Sequence, residues 1–73
     1  MTAVQTFLLR GEHITLDALL KATGLAPSGG AAKGLIAGGG VQVNGSAETR
    51  RGRKLRAGDE VCLGNTRVSI TGT

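Results

Sequence analysis

The sequence predicts an α+β domain: an N-terminal strand, two packed helices, then a small, mostly antiparallel sheet of short strands. Three observations carry this. Apolar residues recur at i, i+3, i+4 spacing from Leu16 to Gly39, the period changes to two at Val41, and Asn-Gly, Gly-Asp and Gly-Asn pairs punctuate the second half. A run of helices followed by a run of strands is the pattern of an α+β fold.

Taken in order, Thr6 to Arg10 surrounds Phe7, Leu8 and Leu9 and reads as a strand ended by Gly11. Thr15 offers a side-chain oxygen to cap a helix starting at Leu16. Leu16, Leu19, Leu20 and Thr23 form its buried stripe, Gly24 stops it in the left-handed conformation, and Leu25 folds back onto it. Pro27 biases Ala26 away from helix, and Ser28 caps a second helix with Ala32, Leu35, Ile36 and Gly39 on its inner face. Gly29, Gly30, Gly34 and Gly38 weaken that helix, each by up to about 1 kcal/mol relative to Ala in a helix interior. It should therefore form only by packing against the first helix and the sheet.

Val41-Gln42-Val43 alternates, and Asn44-Gly45 is the strongest short hairpin signal. The return strand is expected at Ala47 to Thr49. Gly58-Asp59 marks the next turn. Glu60 to Leu63 and Arg67 to Thr71, joined by Gly64-Asn65, read as a second hairpin with Val61, Leu63, Val68 and Ile70 turned inward or across.

At 73 residues the chain reads as one domain, 1–73, with a core of Leu, Val and Ile, since Phe7 is its sole aromatic residue. A chain this small removes only roughly 60% of its unfolded surface from water, so its stability is expected to be marginal. One cysteine, Cys62, excludes an internal disulfide, and a lone thiol in an apolar run reads as structural in a reducing cytosol. No apolar run approaches the ~18 residues that span a bilayer, and Thr2, Gln5 and Thr6 interrupt any signal-like N-terminus. The expected location is cytoplasmic, with no membrane contact.

The formal net charge is +4, and it lies in one place. Residues 48 to 56 read Glu-Thr-Arg-Arg-Gly-Arg-Lys-Leu-Arg, five positive charges against one negative. Outside them Arg10, Lys21, Lys33 and Arg67 balance Glu12, Asp17, Asp59 and Glu60. A block of like charge repels itself, so either it is a solvated loop or it meets an anionic partner.

Catalytic and cofactor readings fail on the residues. Lys33 follows Ala32 and precedes Gly34, so the phosphate-loop pattern GxxxxGK[ST] is not met, and GxGxxG lacks its strand-turn-helix setting. His13 stands alone, without a second metal-ligand type nearby. Glu12 and Asp17 flank a helix start, where negative charge suits the dipole. The expectation is no enzyme, no metal and no cofactor. The start of the second helix, with free N–H groups near Ser28 to Ala31, could hold one phosphate of a polymer. One Phe and no Tyr or Trp leave little for base stacking apart from arginine planes, so binding should rest on phosphates and shape. That favours structured or double-stranded RNA over sequence-read single strands, while charge alone leaves DNA open.

Three stretches in order, Thr15-Leu-Asp-Ala-Leu-Leu20, Ser28-x-x-Ala-Ala-Lys33-x-Leu-Ile36-x-x-Gly39-x-Val-x-Val-Asn-Gly45, and Arg53-Lys-Leu-x-x-Gly-Asp59-x-Val61, resemble the RNA-binding domain named for ribosomal small-subunit protein S4. The resemblance covers about residues 12 to 64 and suggests a short stand-alone bacterial member. It implies an αL motif, two packed helices and then a β-rich part, with RNA across a basic face of the second helix and adjoining loops. Ser28 and Lys33 match polar and basic positions of that helix, Asn44-Gly45 the hairpin turn, and Gly58-Asp59 the turn before the last family strand. Gly29, Gly34 and Ala37 stand where many members carry basic or polar residues, which shifts weight onto the loop.

The expected RNA-binding residues are therefore Arg50, Arg51, Arg53, Lys54 and Arg56, with Lys33 and Ser28 extending the surface. The expected partner is structured RNA, ribosomal or otherwise translation-linked, with a ribosome or ribosomal-protein contact and a monomeric chain. The alternatives are a protein-interaction module docking an acidic ribosome-associated partner, and a regulatory domain for an enzyme on another chain.

Overall fold

The computed structural model describes residues 3–72. The elements are β1 (Ala3–Leu9), β2 (Ile14–Thr15), α1 (Leu16–Ala22), α2 (Gly29–Ala37), β3 (Val41–Val43), β4 (Ser46–Ala47), β5 (Lys54–Leu55), β6 (Glu60–Leu63) and β7 (Thr66–Gly72). The main sheet has the order β1-β7-β6-β3-β4, and β2 pairs with β5 in a separate two-stranded sheet. Helices and main sheet share one core, in which Leu16, Leu19, Leu20, Ile36, Leu55, Val41, Val61 and Val68 are fully buried.

The helices form where apolar spacing requires. Leu16, Leu19 and Leu20 of α1 and Ala32 and Ile36 of α2 are buried, with Leu35 half-buried beside them. Ser28 caps α2 as expected, its hydroxyl oxygen accepting from the Ala31 N–H at 3.1 Å. Two residues of the expected stripes sit elsewhere. Thr23 is the C-cap of α1 and donates its hydroxyl to the Leu19 carbonyl at 2.9 Å. Gly39 lies beyond α2, exposed and at φ +80°, where a residue without Cβ lets the chain turn towards β3.

Thr15 does not cap α1. It occupies the N-cap position with extended dihedrals, yet its side chain accepts no helix N–H. The Leu16 and Asp17 N–H groups instead donate to the carbonyls of Arg53 and Arg51, at 2.9 and 3.1 Å, and the Ala18 N–H donates to the Asp17 carboxylate. A distant backbone thus satisfies donors that a side-chain cap ordinarily takes.

The sheet is mixed. Its β7–β6, β6–β3 and β3–β4 pairs are antiparallel, but β1 runs parallel to β7 along the whole of both strands. The first strand begins at Ala3, earlier than Thr6, and leaves out Arg10. It is an edge strand, with Leu9 buried, Phe7 half-buried, and Val4 and Leu8 exposed. Asn44 and Gly45, at φ +51° and +85°, make the β3–β4 hairpin with both central residues left-handed. The return strand is only Ser46–Ala47, although the Glu48 N–H still donates to the Val41 carbonyl of β3 at 2.9 Å. Val61, Val68 and Ile70 are buried and Leu63 is half-buried, as the alternation predicts.

Candidate nucleic-acid interface

The basic segment is built around its one acid. Glu48 is 7% exposed. One of its carboxylate oxygens, Oε2, accepts from the backbone N–H groups of Thr49 and Arg50 and from Arg50 Nε, all at 3.1 Å. The other, Oε1, accepts from Arg50 Nη2 at 3.1 Å and Arg53 Nη1 at 2.9 Å. The Arg50 side chain, more than the Arg50 N–H and the Arg53 guanidinium, holds the Glu48 carboxyl down to about 2 against the opposing effect of burial. In return the carboxylate raises Arg50.

The segment is also tied by its backbone. The Arg53 N–H donates to the Arg50 carbonyl at 3.2 Å, closing a turn around Arg51 and Gly52. Lys54 and Leu55 pair with Thr15 and Ile14, and Leu55 is fully buried. At the far end, Asp59 accepts from the Arg56 N–H at 2.8 Å and from the Asn44 amide at 3.0 Å, and the Glu60 N–H donates to Asn44 Oδ1 at 2.9 Å. These contacts, the Arg56 N–H foremost, hold the Asp59 carboxyl below its ordinary value. Residues 48–56 are therefore part of the fold and not a free loop: a capped helix end, an internal anion and a buried leucine fix them.

The fixed segment surrounds a concavity of about 440 Å³ lined by Arg50, Gly52, Arg53, Lys54 and Arg56. The side chain of Arg50 is 73% exposed and that of Arg53 is 35% exposed, although both reach Glu48. Arg51, Lys54 and Arg56 are exposed and make no ion pair among the described residues. Four of the five predicted cations of the segment thus share one groove, and Arg51 stands outside its lining. Lys33 and Ser28 are exposed on α2 and do not line it. The remaining ion pair, Arg67 Nε to Glu60 at 3.3 Å, lies on the exposed sheet surface, where such pairs contribute little.

Sequence reasoning counted Glu48 only as one negative charge. The signal was its place: an acid two and five residues before arginines, inside an otherwise cationic run. Candidate chemistry elsewhere is sparse. His13 is exposed, Cys62 is half-buried and free, and no group of His, Cys, Asp and Glu among the described residues could hold a metal ion. No helix of the described residues is long and apolar enough to cross a membrane.

The structure is thus a two-helix α+β domain with a cationic groove on its surface. The chain belongs to the S4 domain family, whose model matches residues 7–71, nearly the whole chain. S4 domains are generally RNA-binding modules and not typically catalytic. No curated protein matches the chain.

Proposed function

We propose that the chain binds structured or double-stranded RNA, ribosomal or otherwise translation-linked, mainly through phosphate contacts from residues 50–56. The observation that carries this reading is the groove in which Arg50, Arg53, Lys54 and Arg56 converge on a backbone tied by β5–β2 pairing and the Arg53–Arg50 turn. A duplex backbone is a regular array of negative charge, and neutralising it releases counterions, so a fixed cluster of cations is rewarded sequence-independently. Lys54, Arg56 and Arg51 supply the freest charges, and Arg53 adds the donors that Glu48 leaves unused. Lys33 and Ser28 extend the surface along α2, the Ser28 hydroxyl hydrogen being available to a phosphate while its oxygen caps the helix.

The test is binding of a hairpin RNA at several salt concentrations. Four phosphate contacts give a log-affinity against log-salt slope of roughly −3 to −4. A flat salt response, or an unchanged affinity after replacing Arg50, Arg51 and Arg53 together by alanine, overturns the reading. If RNase treatment left co-purifying proteins in place, the partner would be an acidic protein instead.

A further inference from the structure

Arg50 differs from the other cations of the groove in how it is held. Its Nε and Nη2 donors form a two-point pair with the Glu48 carboxylate, and its own backbone N–H meets the same carboxylate. The Nε–Nη2 edge of the guanidinium is therefore occupied, three N–H donors remain at the Nη1–Nη2 end, and a buried anion offsets its charge. Yet the side chain is 73% exposed and lines the concavity beside Gly52, which contributes no side chain to fill it. The two-point pair leaves a ligand an oriented guanidinium plane as well as those donors. A guanidinium plane is a stacking partner for a nucleobase, the one aromatic residue, Phe7, packs against the core, and of the three arginines at the groove Arg50 is the one whose plane is held at two points by a carboxylate.

We propose that Arg50, locked by Glu48, stacks on an unpaired base, so that the protein prefers structured RNA carrying an extruded nucleotide to fully paired duplex. The inference rests on the RNA-binding reading above and narrows its substrate class. In it Lys54 and Arg56 contact phosphates beside the extruded nucleotide, the 440 Å³ concavity receives the base, and Glu48 is a positioning residue that never touches RNA.

The test compares two annealed RNA duplexes that differ only by a single bulged adenosine in one of them, binding the full chain and its variants at fixed salt. Base stacking on a protein platform is expected to favour the bulged duplex about ten-fold. Arg50→Lys keeps the charge and removes the plane. It should bring the two affinities within about two-fold by weakening binding to the bulged duplex more than binding to the paired one. Glu48→Gln unlocks the plane and removes a negative charge, so it should tighten binding to the paired duplex while reducing the preference. Equal binding of both duplexes by the unsubstituted protein, or a preference that survives Arg50→Lys, overturns the inference and leaves the phosphate-driven reading standing. Loss of both affinities after alanine replacement of Lys54 and Arg56, beside a retained preference in the parent, supports both. Failure of the parent to bind either duplex removes the RNA reading and this inference with it.

Discussion

The basic segment and helix α2 were both expected to meet RNA, and they are stabilised in opposite ways. Residues 48–56 carry the charge and are held by polar ties: the Glu48 carboxylate, the pairing of β5 with β2, and carbonyls that cap α1. Leu55 is their single apolar anchor into the core. Helix α2 carries one charge, Lys33, and four glycines in or beside it, and is held by Ser28 and by the burial of Ala32 and Ile36. Dense charge is thus fixed by an internal anion, while a poor helix former is fixed by packing. Under the proposed function the difference favours the segment over the helix as the contact surface, since its polar ties leave fewer degrees of freedom to be lost on binding.

The comparison breaks first at Leu55. Leu55→Ala leaves a cavity under the segment and should destabilise the protein by about 2–5 kcal/mol, read as a lower thermal or denaturant midpoint, a large part of what a marginal domain has. Ala32→Gly should destabilise the protein by about 1.5–2 kcal/mol, read in the same midpoint, because it costs helix propensity and one methyl of packing without touching the segment.

Charge removal should separate the two regions next. Alanine at Arg51, Lys54 and Arg56 together removes three unpaired cations and should weaken RNA binding on the order of 10²–10³-fold near 0.1 M salt, with the slope reduced by about 2.7. Lys33→Ala should weaken it less than ten-fold and reduce the slope by about 0.9. An equal loss from Lys33→Ala and from the triple variant would make α2 the main contact surface.

The smallest effect is in pH. Glu48 is held down from an ordinary 4.5 to about 2 by Arg50 and Arg53, so its contribution to folding is complete above about 4.5 and is lost as pH falls towards 2. Carbon-detected titration of the Glu48 carboxylate, followed with the amide shifts of Thr49 and Arg50, should show one transition near 2. A midpoint near 4.5 would mean that the carboxylate does not hold the segment in solution.

Much of this was legible in the chain. The stripe of Leu16, Leu19 and Leu20, the cap at Ser28, the left-handed pair Asn44-Gly45 and the alternation through Val61, Val68 and Ile70 are all local signals, and all appear in the structure. The location of the net charge needed only counting. The β2–β5 pair was hidden because two residues are too few to show a period of two. The early start of β1 was hidden because Ala3, Val4 and Gln5 carry no inward apolar alternation.

What the sequence determined by itself, then, was element type, turn position and the place of the charge, because these depend on neighbours within a few residues. The tertiary structure alone decided three things. It laid β1 parallel to β7 across the length of the chain, gave the first donors of α1 to the carbonyls of Arg51 and Arg53 in place of Thr15, and turned Glu48 into the buried anchor of its own cations. Each depends on backbone or side-chain groups meeting in irregular geometry, where no periodicity in the sequence records which partner is near.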